Sequence, residues 1–191
     1  MGMRLLRGIT GEYGMITKSK DLEQQAIEQV AALMCAAART APKAHGTDNL
    51  STLMVTGKDK DAVAKEMRRI AKKNDLMFFE RDAGCVDTAH AVVLFGQKTI
   101  QLNIPVCGYC GFKDCAENVK KGGACALSAS DLGTAVCSAV EIASIHHVDN
   151  RIMFTVGRAA LNLGLFKDAK VTMAYGVPLS VTGKSPFFDR K

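Results

Sequence analysis

Four of the chain's seven cysteines fall between Cys107 and Cys125, in the stretch PVCGYCGFKDCAENVKKGGACA, with the spacing C-x2-C-x4-C-x9-C. Two thiolates two residues apart can grip one metal centre from a single tight turn. Gly108 and Gly111 let the backbone wrap around such a centre and aim N–H groups at its sulfurs. Cys115 would supply the third ligand and Cys125, beyond a short helix, the fourth. Four sulfurs in a cage admit either zinc or an iron–sulfur cluster. A zinc ribbon pairs two C-x2-C knuckles where this chain has one, and the common bacterial ferredoxin run sets three cysteines two residues apart, so the spacing alone leaves both open. Iron–sulfur is the preferred reading, with Cys137 the alternative to Cys125 as fourth ligand.

Cysteine is also a small hydrophobe that is often buried. Cys35 and Cys137 sit on what read as apolar helix faces and are assigned to packing, while Cys85, in RDAGCVDT, fits either role. The clustered four have Gly and Lys neighbours and little apolar material to cover them, which leaves ligation as their use. Other chemistry is thin. No G-x-x-x-x-G-K-[ST] or G-x-G-x-x-G loop occurs, and no Ser-His-Asp or Cys-His order suggests acyl transfer. His45 reads as a solvated loop residue. His146 and His147 read as a helix C-terminus, where an imidazole suits the dipole. Asp149, Asn150 and Arg151 read as a turn with a helix cap.

These residues need a frame. A chain of 191 residues with 48% hydrophobic composition can build one domain with a real core and needs no disulfides. Residues 1–191 are read as that domain, carrying a Cys-rich segment at about 103–128. No apolar run approaches the roughly 18 residues of a membrane span, and the opening MGMRLLRGITGEYGM lacks the apolar region of a secretory signal. The expectation is a cytoplasmic protein in a reducing compartment, with no membrane partner. The net charge of +6 permits a polyanion partner, but no Trp and three Tyr offer little to stack on bases, so nucleic acid is not the expected ligand.

Asp21 and Gln24 form a candidate capping box for a helix from about Asp21 to Ala38, followed by a loop through Pro42 and Gly46. STLMVTG predicts a strand and DKDAVAKEMRRIAKKN an amphipathic helix with Met67 and Ile70 inward and its charges solvated. AHAVVLFG predicts a buried strand. A brief helix is expected around Asp114 to Lys121. A longer, close-packed one should start at Ser130 or Asp131, another should cover NRIMFTVGRAALNLG, and AKVTMAYGV predicts a final strand. The pattern is that of a mixed α/β or α+β domain.

CGYCGFKDCAENVKKGGACALSASDLGTAVCSAV, followed by VDNRIMFTVGRAA and GVPLSVTGKSPFFDR, resembles a family of uncharacterised prokaryotic proteins described as containing a ferredoxin or 4Fe-4S domain. The resemblance covers most of the chain and is strongest from Cys107 to Arg190. It implies a 4Fe-4S cluster on Cys107, Cys110, Cys115 and Cys125. The first three also match the opening C-x2-C-x4-C of the 4Fe-4S domain of some membrane redox-pump subunits and corrinoid proteins.

The flanking sequence is similar in outline to the FMN-dependent nitroreductases. MCAAARTAPKAHGTDNL resembles their early helix and their Ala-Pro-Ser-x-x-Asn flavin loop. Ala41 and Pro42 are in place, Lys43 stands where the serine would be, and Asn49 is displaced from the asparagine position. DLGTAVCSAVEIASIHHVDNRI resembles their long central helix, and GVPLSVTGKSPFFDR their closing strand. This likeness implies an α+β fold, a mixed or antiparallel sheet flanked by helices with the Cys-rich iron–sulfur segment inserted. It also implies a homodimer holding FMN at its interface. Arg39, Lys43, Lys184 and Arg190 are then the candidate flavin contacts, and Arg4 and Arg7 the basic residues near the start. The expected function is an iron–sulfur oxidoreductase or electron-transfer protein serving a redox partner or small-molecule substrate. The alternatives are a non-enzymatic binding module with structural zinc or iron–sulfur, and a domain that has lost FMN and kept the cluster.

Overall fold

The computed structural model describes residues 16–168 and 170–188. Arg4, Arg7 and Arg190 lie outside them. The first helix, α1, runs Ser19–Thr40 and buries Ile27, Val30, Ala31, Met34 and Ala38, one helical stripe. It begins two residues before the expected start. Asp21 is therefore already inside the first turn, its N–H on the Lys18 carbonyl at 3.0 Å, and no capping box forms. Pro42 ends the helix by forcing Ala41 into an extended conformation with ψ of 140°.

The strands are β1 (Leu50–Val55), β2 (Ala91–Gln97), β3 (Asp149–Asn150) and β4 (Met173–Ser180), in the order β1-β2-β4-β3 with every pairing antiparallel. Every residue of β2 is buried, so helices must cover both faces. On one face Ala91, Val93 and Phe95 meet α1 and α5 (Ala126–Ile145). On the other, Val92 and Leu94 meet α2 (Gly57–Asn74), α3 (Met77–Thr88) and α6 (Phe154–Asn162). Met67 and Ile70 point inward as the spacing of α2 predicted, but Glu66, expected among the solvated charges, is buried because it is paired and hydrogen-bonded.

Three elements depart from the sequence reading. Met77–Thr88 is a helix that no expectation covered, and it buries Phe79, Ala83, Cys85 and Val86; Gly84 and its charged residues mask the period. α5 starts at Ala126 with Cys125 as its N-cap, because Asp131 is used elsewhere: its carboxylate accepts the Ala44 N–H at 3.0 Å. α6 starts late, because Asp149 and Asn150 pair with β4 and Met153 bridges Gly176 before the helix can begin. Cys137 is exposed on α5 and Cys35 half-buried on α1, which removes the packing role expected for Cys137.

Glu66 ties α2 to the end of α6. It accepts from Arg69 Nε and Nη2 at 2.6 and 2.7 Å and from Asn162 Nδ2 at 2.8 Å. The Arg69 bonds hold its carboxyl below the ordinary value against the cost of burial, and Asn162 adds to them. A carboxylate depressed in the folded state stabilises above its ordinary value, and that stability is lost as pH falls through the depressed one. Glu66→Gln is therefore expected to lower Tm by a few degrees at neutral pH and to flatten the acid limb below about pH 4.3, read by thermal scans across pH. An unchanged acid limb would remove Glu66 from the account.

Among the described residues no helix is long and apolar enough to cross a membrane.

Candidate metal centre

Between β2 and α5 the chain makes one short helix, α4 (Cys115–Lys120). Asp114 caps this helix, its Oδ1 accepting from the Glu117 N–H at 2.8 Å, and Glu117 Oε2 reaches back to accept from the Lys113 N–H at 2.9 Å. Cys115 is its first residue, and Cys125 stands immediately before α5. Cys107 immediately precedes, and Cys110 sits within, a turn closed by the Gly111 N–H on the Gly108 carbonyl at 2.9 Å. The two glycines adopt φ of +60° and +80°, the left-handed region that favours glycine.

Three bonds moor this segment to the frame. The Cys125 N–H donates to the Thr99 carbonyl at 2.9 Å, Ser128 Oγ to that of Ile100 at 2.8 Å, and Gln101 Nε2 to that of Gly123 at 2.9 Å. As a result Cys107, Cys110, Cys115 and Cys125 all line one cavity of about 260 Å³, walled by Ile104, Pro105, Tyr109, Phe112, Asn118 and Leu127. Cys125 is buried and the other three half-buried. Among the described residues no three Cys, His, Asp or Glu side chains come close enough to hold a single metal ion. The four cysteines are set around a cavity instead.

Cys110, in the cavity, has surroundings unlike those of Cys35 and Cys85 outside it. The Phe112 N–H and then the Asn118 side chain hold the Cys110 thiol below its ordinary value. Burial pushes the thiols of Cys35 and Cys85 up. A lowered thiol is a readier ligand, since metals and clusters bind the thiolate.

The other sequence candidates have other partners. Arg39 Nη1 donates to Asp48 Oδ2 at 2.6 Å and to the Leu50 carbonyl at 2.8 Å. Lys43 Nζ caps α1, donating to the carbonyls of Arg39, Ala41 and Ala38 at 2.6, 2.9 and 3.4 Å. The loop of Lys43 and the cysteine cavity meet the same helix, because Asp131 lies six residues beyond Cys125, about 9 Å along α5. Lys184 belongs elsewhere. Since Gln97 pairs with Met173 and Ala91 with Leu179, the tail that carries it leaves the sheet at the end opposite the cysteines.

Asn118, Gln101 and Ser128 were not among the sequence candidates. Only Asn118 had a local signal, its position three residues after Cys115 on the same face of the short helix. Gln101 and Ser128 act across the fold, which spacing does not reveal.

A four-stranded antiparallel sheet covered by helices on both faces is an α+β fold, and solved nitroreductase-type structures share it. The structure of NfrA2 from B. megaterium superposes with a TM-score of 0.52 at 11% identity, over 86% of this chain and 61% of that one. The chain thus spans about three fifths of that protein's length. A nitroreductase with bound FMN from Desulfitobacterium hafniense gives 0.54 at 14% identity, over 83% and 81%. A nitroreductase-like protein from Streptococcus mutans gives 0.54 at 14%, over 86% and 83%. At such identities the fold is what is shared.

Within that fold, the chain belongs to the family described as "uncharacterized protein containing a ferredoxin domain (DUF2148)", whose match spans residues 121–190. An uncharacterized protein of Archaeoglobus fulgidus is 38% identical over 187 residues, 92% of this chain and 98% of its own. The family match takes in Cys125 and Cys137 and begins after Cys107, Cys110 and Cys115.

Proposed function

We propose that this chain is an iron–sulfur redox protein in which Cys107, Cys110, Cys115 and Cys125 hold a 4Fe-4S cluster. The observation that carries the reading is the lining of one cavity of about 260 Å³ by all four cysteines. Four thiolates around one cavity suit a many-atom cluster, which fills the room between its ligands. The donor set fits as well. Thiolates are the usual ligands of such clusters, and N–H groups directed at a sulfur stabilise the charge it carries. When bound, the cluster supplies one-electron transfer between a reduced donor and an oxidised acceptor. The chain's part is to hold the ligands through the Gly108–Gly111 turn, α4 and the start of α5, to offer the Phe112 N–H to Cys110, and to shield one side with Phe112 and Leu127.

The test is a visible spectrum of chain purified without oxygen, with iron, zinc and sulfide assayed on the same sample. Broad visible absorption with about four iron and four sulfide per chain supports the reading. A colourless protein with about one zinc per chain overturns it and makes the cysteines a structural clasp in a binding module.

A second reading adds FMN, in a homodimer working in the cytoplasm with a redox partner or a small-molecule substrate. It is favoured by the neighbour titled as a nitroreductase with bound FMN and by buried amide atoms without partners, Asn49 Nδ2 and both polar atoms of Gln97. Such amides suit the polar edge of a flavin ring. The phosphate is less well served, since Arg39 and Lys43 would have to give up the bonds described above. Titrating FMN against the chain while following flavin fluorescence tests this: saturable quenching at about one flavin per chain supports it, and unchanged fluorescence sinks it. Light scattering of the same sample reads the oligomer.

A further inference from the structure

We propose that Asn118 is a positioning residue for the centre: its buried carboxamide clamps together the segments that carry Cys115 and Cys125. The proposal rests on the cysteines being ligands, as argued above. Asn118 is 0% exposed although it sits on a helix of six residues. Its Oδ1 accepts from Gln101 Nε2, and its Nδ2 donates to the Ala124 carbonyl at 3.0 Å. Those two partners fix which end of the amide is nitrogen, because Gln101 presents a donor and Ala124 an acceptor.

The clamp therefore joins three stretches of chain. Cys115 is three residues earlier on the same short helix. Ala124 immediately precedes Cys125, and Gln101 also donates to the Gly123 carbonyl at 2.9 Å, fixing the same approach. Outer partners of this kind set the geometry in which ligands are held, and with it the stability of the centre.

The experiment compares wild type, Asn118→Asp and Ser128→Ala, all loaded without oxygen. Aspartate keeps the shape of the side chain but cannot donate. Ser128→Ala removes a different mooring of the same segment, the bond to the Ile100 carbonyl. Asn118→Asp is expected to shift the midpoint potential and to release iron to a chelator at least about tenfold faster than wild type, with Ser128→Ala staying closer to wild type in both. An Asn118→Asp chain that loads no iron while Ser128→Ala loads fully also supports the clamp. Two results overturn it: Asn118→Asp matching wild type in both readouts, or Ser128→Ala changing as much as Asn118→Asp. Should the wild type carry zinc, the cluster reading fails by itself, and the same comparison of zinc release still decides the clamp.

Discussion

Cys110→Ser and Cys115→Ser, prepared without oxygen beside wild type, are expected to retain less than about a tenth of its iron while keeping its far-ultraviolet circular dichroism. Serine replaces a soft, readily ionised sulfur with a hard oxygen that stays protonated near neutrality, so three ligands remain where four are needed. The fold should survive the change. Both hydrophobic clusters, one under α1 and α5 and one under α2, α3 and α6, are built without Cys107, Cys110 or Cys115. The cavity hangs from the end of β2 and the start of α5 and adds nothing to either core. Stoichiometric iron in both variants would end the cluster assignment.

The same preparation decides the fourth ligand. Cys137 lies twelve residues beyond Cys125 on one continuous helix, about 18 Å along its axis, and is exposed. A ligand set drawn around the cavity cannot include it without unwinding α5. Cys137→Ser is therefore expected to keep its iron and Cys125→Ser to lose it. The opposite pair of results would exchange the two residues.

These two residues also mark where the sequence could be read and where it could not. The C-x2-C-x4-C run is local, so its glycines and spacing suffice by themselves to announce a turn that gathers three cysteines at one cavity. β2 was legible for a similar reason: a run as apolar as AVVLF admits little but a strand covered on both faces. The cap of α5 was misread because Ser130 and Asp131 look like caps by residue type, whereas Asp131 is held by Ala44, 87 residues away. α3 was missed because Gly84 and its acidic residues resemble a loop, while its apolar residues find their partners on other elements, chiefly α2. Asn118 and Gln101 belong with these cases, since an amide pair bridging 17 residues leaves no period. Local chemistry was readable, and polar tertiary contacts were not.

Gly157→Ala is expected to cost about 3 kcal/mol or more, the upper end for overpacking, with Tm falling by about 10 °C or the chain failing to accumulate in folded form. A methyl group on Gly157 would stand 1.9 Å from the Ala174 carbonyl oxygen, 2.3 Å from its carbon and 2.7 Å from the Tyr175 nitrogen. These are backbone atoms of β4, which is held along its length by pairing with β2, so no rotamer change relieves the contact. Either β4 gives up pairs or α6 lifts away and takes the fully buried Val156, Ala159 and Ala160 with it. The approach is close from the other side too, because a methyl on Gly176 would meet Val156 Cγ1 at 2.1 Å. Gly84→Ala is the control, since nothing lies within 4 Å of its added methyl, and inside a helix the change should stabilise by up to about 1 kcal/mol. The same substitution thus has opposite signs at two helical glycines, which separates a packing effect from a general intolerance of alanine. Gly157→Ala with wild-type Tm would mean that α6 is not seated on β4 as described. Set against Cys110→Ser, it also divides the causes of iron loss: Gly157→Ala should lose iron only with the fold, and Cys110→Ser should lose it with the fold intact.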